Sequence, residues 1–279
     1  MNWAEIAKVG FQLSLAVLVF GSGLRSNFKD VPYLLTRPAL LARSLLAVLV
    51  VMPVLAVLLV RFLRLSPEVS IALVALSISP LPPLLPQRGE KAGGSTRYGL
   101  GLVLVLAVLA TPVIFIATML LDKVFGRDYV ATPLALAQLL GFSILAPLVL
   151  GMAVARVRPE TAERLEKHLS RAQRVLLPTA AAALLISAAP AIGALVGNHT
   201  LAAIAIFVIA GFAVGHLLGG PDPDCSAVLA FASSCRHPAT AMALAAANYP
   251  RADERGALAL YALVTMVVGL LYAAWARNR

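Results

Sequence analysis

The chain has 279 residues, 60% of them hydrophobic and 13% charged, with a mean hydropathy of +0.89. A soluble domain carries about 25% charged residues, so a water-surrounded globule is excluded and lipid must be the solvent for much of the surface. The net charge of +10 is spread mostly between apolar runs, where Lys and Arg set topology and meet anionic lipid headgroups; nucleic acid is not an expected partner.

The apolar runs do not alternate and approach the roughly 20 residues of a membrane helix, whereas a barrel strand needs about 10 alternating ones. The first run covers 6–24. Lys8 followed by the apolar stretch 11–20 resembles a signal peptide, but no small-x-small cleavage site follows, so a retained helix is expected. The second run, 38–60, starts on Pro38 and contains Pro53, which predicts a kink. Ser66-Pro67-Glu68 reads as a helix start, with a cap, a proline and an acid in the first turn, and opens a third run at 69–79.

Residues 80–94 hold four prolines and three glycines and exclude a continuous helix. Further runs follow at 98–121, 133–155, 175–196, 201–218, 227–247 and 256–275, with a polar surface helix predicted over 156–174. The 227–247 run is interrupted by Ser233, Ser234, Cys235, Arg236, His237, Pro238 and Thr240. Cys225 and Cys235 have no metal-ligand spacing and read as packing residues.

The runs give an all-α polytopic membrane protein of ten transmembrane segments. Its pattern divides into two five-helix repeats, 1–130 and 131–279, each beginning with a helix that ends Gly-then-Arg (23–25 and 151–156) and each carrying an interrupted fourth segment. Five is odd, so the second repeat inserts inverted, and paired breaks in inverted repeats point to a transport site. A modest excess of Lys and Arg puts both termini on the cytoplasmic side of an inner membrane.

The chemistry is expected at the breaks, numbers four and nine. Arg88, Glu90, Lys91 and Arg236 lie within them, and a charge at membrane depth usually faces a cavity or a partner. Exposed backbone there has the same need. Two breaks meeting near the midplane would offer freed N–H groups and guanidinium groups to an anion. The candidate substrate-binding residues are Ser79, Pro80, Gln87, Arg88, Glu90 and Lys91 from the first break, and Arg236, His237, Pro238 and Thr240 from the second. An aqueous loop also fits 88–91, and His237 reads either as a proton carrier or as a hydrogen-bonded polar residue. His216 reads as interfacial, while His168 and His199 have no assigned role. Metal clusters and hydrolase, protease and phosphate-loop motifs are missing, so neither an enzyme nor a metal cofactor is expected.

Gly23-Leu24 followed by the 28–38 stretch, Ser77-Ile78-Ser79-Pro80, and Arg236-His237-Pro238-Ala239-Thr240-Ala241-Met242-Ala243-Leu244-Ala245 resemble the bile acid:sodium symporter superfamily. The resemblance implies a panel domain from segments one, two, six and seven, and a core domain from the others, with broken segments four and nine crossing. Members with sodium sites carry an acid four residues before a Gln-Asn pair, where this chain has Ala232 and Arg236-His237. They carry a run of hydroxyls and amides where this chain has Leu81-Pro82-Pro83-Leu84. The departure leads to Arg236 as a fixed charge in place of sodium, paired with Glu90, in a transporter of a small organic anion. A non-transporting sensor on the same scaffold, a channel and an intramembrane enzyme are the rival readings. Substrate identity and oligomeric state are not legible.

Overall fold

The computed structural model describes residues 16–25, 33–82, 84–125, 141–195, 199–248 and 254–278, and the regular structure among them is helical. The first half holds α1 (Ala16–Arg25), α2 (Pro38–Leu63), α3 (Pro67–Ile78), α4 (Leu85–Lys91) and α5 (Thr96–Phe125). The second holds α6 (Ala146–Val157, after a π-turn at Gly141–Leu145), α7 (Pro159–Leu195), α8 (Thr200–Leu218), α9 (Pro223–Ser234), α10 (Pro238–Asn248) and α11 (Arg255–Arg277). Helices α2, α8 and α11 are long and apolar enough to cross a membrane. The part of the first run before residue 16 and the start of the 133–155 run lie outside the described residues.

Helix α2 carries a flaw at its centre, over Leu46–Val51, which are wound as a π-helix. The Met52 N–H reaches back five residues to Ala47 O. The next bond in that register would run from residue 53 to Val48, and Pro53 has no N–H. The kink expected from Pro53 therefore takes the form of a register change that leaves the Val48 carbonyl open. Helix α3 starts at Pro67 as expected, but Ser66 makes no side-chain cap and its Oγ is buried without a partner.

Residues 67–91 form one broken segment, where two had been expected. Helix α3 begins beside the Leu63 end of α2. Tyr98, in the first turn of α5 and a short link after α4, hydrogen-bonds Ser44 near the Pro38 end at 2.7 Å, so the segment runs the length of α2. Ser79 before Pro80 is extended (ψ 151°), as a residue preceding proline prefers, and the helix resumes at Leu85. The expected runs 69–79 and 80–94 are halves of this segment, which leaves nine helical segments among the described residues instead of ten. A second broken segment, α9–α10, is interrupted at Cys235–His237. The two run antiparallel: Ser95 N–H donates to Asp224 O at 3.2 Å, joining the end of the first to the start of the second, and His237 N–H donates to Pro80 O at 3.0 Å, joining the breaks.

One large apolar core holds α2, both broken segments, α5, α8 and α11, while Val19, Leu100, Leu148 and Met152 form a small separate cluster where α1 and α6 meet α5. Helix α2 thus contributes its buried face to the large core. Gly23 and Gly151 press together; a Cβ on Gly23 would lie 2.3 Å from Leu148 O. The two Gly-then-Arg boundaries are contact partners, a role the repeat pattern did not reveal. The surface helix expected over 156–174 is continuous with the next run in α7, and Arg25 pairs with Glu166 on it at 3.3 Å.

Candidate functional site

The two breaks are pinned together by Arg236. The residue is 2% exposed, and its guanidinium donates through Nη2 to Val48 O at 2.6 Å and through Nη1 to Ser79 O at 3.4 Å. Both acceptors are carbonyls that the local fold has released, one by Pro53 and one by the end of α3 at Pro80. The carbonyl ends of α3 and α9 carry the negative half of their helix dipoles, so a fixed cation there compensates charge as well as hydrogen bonds. Arg236 Nε keeps no acceptor. The backbone of the break is held by Tyr261, whose hydroxyl accepts from Arg236 N at 2.6 Å and donates to Ser234 O at 2.7 Å.

His237 caps the helix that follows. Its Nδ1 accepts from Thr240 N–H at 3.2 Å and lies 3.1 Å from Thr240 Oγ1, while Pro238 opens α10. With Nδ1 accepting, the neutral ring carries its proton on Nε2. His237 is thus held in place by hydrogen bonds at Nδ1. Ser79 Oγ turns back to Leu76 O at 2.8 Å, so it is the backbone of Ser79 and Pro80 that joins the site.

The remaining candidates separate. Arg88 is half-buried and donates from Nη1 to Cys235 Sγ at 3.3 Å, which keeps it beside the second break. Gln87 points elsewhere, donating from Nε2 to Ser22 Oγ on α1 at 3.3 Å. Glu90 and Lys91 are exposed at the end of α4. The expected Glu90–Arg236 pair is not among the ion pairs of the described residues, because the guanidinium is spent on carbonyls at the break. The crossing therefore unites Ser79, Pro80, Arg236, His237, Pro238 and Thr240, with Arg88 at its edge. Val48 and Tyr261 escaped the sequence reading. Pro53 was the available signal for Val48; Tyr261, an unremarkable residue in an apolar run, had none.

The Sodium Bile acid symporter family matches this chain over residues 12–194. The chain belongs to that family. Its members are transporters, not enzymes, and the family as a whole points to sodium-coupled symport of organic anions. The match takes in the α3–α4 break and ends before α9–α10, so Arg236 lies beyond it. No curated protein matches the chain.

The family's sodium can be tested against the residues at the crossing. A sodium ion needs several oxygen ligands, and here Val48 O and Ser79 O are both engaged by a guanidinium. Ala232, set where an acid would stand, is fully buried and offers no oxygen from its side chain. Arg236 would repel a cation placed beside it. The residues at this crossing do not fit sodium.

Proposed function

We propose that this chain is a secondary transporter that moves a small organic anion by alternating access, with Arg236 standing where other members of the family would hold sodium. The observation that carries the proposal is the buried guanidinium bound to the two carbonyls freed by the breaks, Val48 O at 2.6 Å and Ser79 O at 3.4 Å. A tethered cation cannot leave with the substrate, so transport proceeds without a sodium gradient. Arg236 is nearly saturated by backbone; Arg88, half-buried beside the same break, is the charge offered to the substrate.

In the same reading the nine helical segments are nine crossings of a cytoplasmic membrane. Four of them, α1 to α5, repeat in inverted order as α7 to α11, with α6 as the connecting crossing that turns the second set over. This redraws the expected 1–130 and 131–279 repeats as two four-segment sets with α6 between them. The broken segments occupy matching places, third of four in each set, as inverted-repeat transporters require. The group α1, α6 and α7 forms the panel, and the large core moves against it.

Uptake of labelled organic anions into proteoliposomes holding the purified protein tests this, with and without a sodium gradient. Saturable uptake of the same size in both conditions supports the proposal. Uptake that needs the gradient keeps the transporter and removes the role of Arg236. Failure across a broad anion panel favours a sensor on a transporter scaffold.

A further inference from the structure

We propose that Gln173, with Gln87 and Ser22, forms a subsite for an uncharged oxygen of the transported anion; this rests on the transport reading and narrows its substrate class. Gln173 is 9% exposed, and its Nε2 is buried with no acceptor. The amide lies against α1 at Gly21, where a Cβ would sit 3.5 Å from Nε2. One residue further, Ser22 Oγ donates to Leu18 O at 3.0 Å and accepts from Gln87 Nε2 at 3.3 Å. Polar side chains from α7 and α4 thus reach adjacent residues of α1, Gly21 and Ser22, on the helix that carries Val19 of the small apolar cluster.

Packing alone does not ask for them. A buried amide donor without a partner is destabilising and uncommon, and an apolar residue of the same shape would remove the penalty. The Gln87–Ser22 bond also joins α4 of the large core to α1 of the small cluster. It has to open when the two groups part, and Gln87 Nε2 and Ser22 Oγ then lose a partner beside an amide that already has none. These are neutral groups, suited to a hydroxyl, carbonyl or ether oxygen. The charge for the anionic group comes from Arg88, the next residue on α4. The substrate class is therefore an organic anion with a second, uncharged oxygen, in preference to a plain hydrocarbon carboxylate.

Thermal unfolding of the purified full chain in detergent tests this with two probe pairs that differ in their uncharged oxygens, 3-hydroxybutyrate against butyrate and cholate against cholanate. In the wild type, the oxygenated member of at least one pair should bind about tenfold tighter, roughly 1.4 kcal/mol. Gln173→Leu should bring that preference to within about twofold. Without ligand it should raise Tm by about 2–4 °C, since it removes an unsatisfied donor. An unchanged preference in Gln173→Leu overturns the proposal. So does a lowered Tm without ligand, which would make the amide a structural partner. Equal binding within both pairs by the wild type sinks the subsite alone. Binding of none of the four probes removes the organic-anion reading, and the subsite falls with it.

Discussion

Arg236 shows how a residue that looks unaffordable in a membrane protein becomes stable. Its charge is buried, yet it meets two carbonyls that would otherwise be unpaired, at helix ends of complementary sign. Charged hydrogen bonds of this kind contribute about 1.5–3 kcal/mol each. We expect Arg236→Gln to destabilise the protein by about 3 kcal/mol and to lower transport at least tenfold, read by thermal unfolding and by proteoliposome uptake. Arg236→Lys keeps the charge and loses the planar fork that spans two acceptors, so it should fall between the two. Tyr261→Phe isolates the same site from the other side. It strands Arg236 N and Ser234 O together, and the expected loss is about 1–3 kcal/mol. A Tyr261→Phe protein as stable as the wild type would mean that these backbone groups find other partners.

At the scale of the element, proline and glycine carry most of what could be read in advance. Pro80 ends α3 and Pro238 starts α10 through local geometry, so both breaks were legible from a few neighbouring residues. Their partners were not. Val48 is 188 residues from Arg236 in sequence and Tyr261 is 25 away, and no local pattern joins them. The proposed nine crossings differ from the expected ten for a related reason: a break inside one segment looks, in hydropathy, like a loop between two. Glycine acts in the packing of α8 on α9. Gly211 and Gly215 on α8 and Gly219 at its C-cap form a stripe, and Cβ atoms there would lie 2.8 Å from Ser234 Cα, 2.3 Å from Leu229 O and 2.3 Å from Ser226 Cα. Small residues at this spacing let backbones approach in a membrane, where dispersion has to replace the hydrophobic effect. Gly215→Val should therefore force the helices apart and abolish monodisperse protein in size-exclusion chromatography. Gly193→Ala, with nothing within 4 Å of the new Cβ, should be neutral or gain about 0.5–1 kcal/mol, because alanine suits a helix interior better than glycine.

For the whole molecule, the consequence of the proposed nine crossings is orientation. Ten crossings would place both ends of the described chain on one face; nine would place Ala16 and Arg277 on opposite faces. The ends of the helices sort the cations accordingly. Arg25, Arg37, Arg43, Lys91 and Arg97 from the first half, and Arg156, Arg158, Arg164, Lys167, Arg171 and Arg277 from the second, gather at the Pro38 end of α2. Arg61, Arg64 and Arg255 are at the other end. Loops rich in Lys and Arg remain in the cytoplasm. The Pro38 end is thus expected to be cytoplasmic, with α1 entering from the outside. Cysteines introduced singly at exposed positions will decide it. Arg64→Cys should react with a membrane-impermeant maleimide in intact cells, while Lys91→Cys should react only after the membrane is opened. The two native cysteines, 3% and 1% exposed, should contribute little background. Labelling of Lys91→Cys in intact cells and protection of Arg64→Cys would reverse the orientation. Labelling of both in intact cells would mean that 67–91 returns to the face it left, and the two-span arrangement of that segment would replace the single broken one.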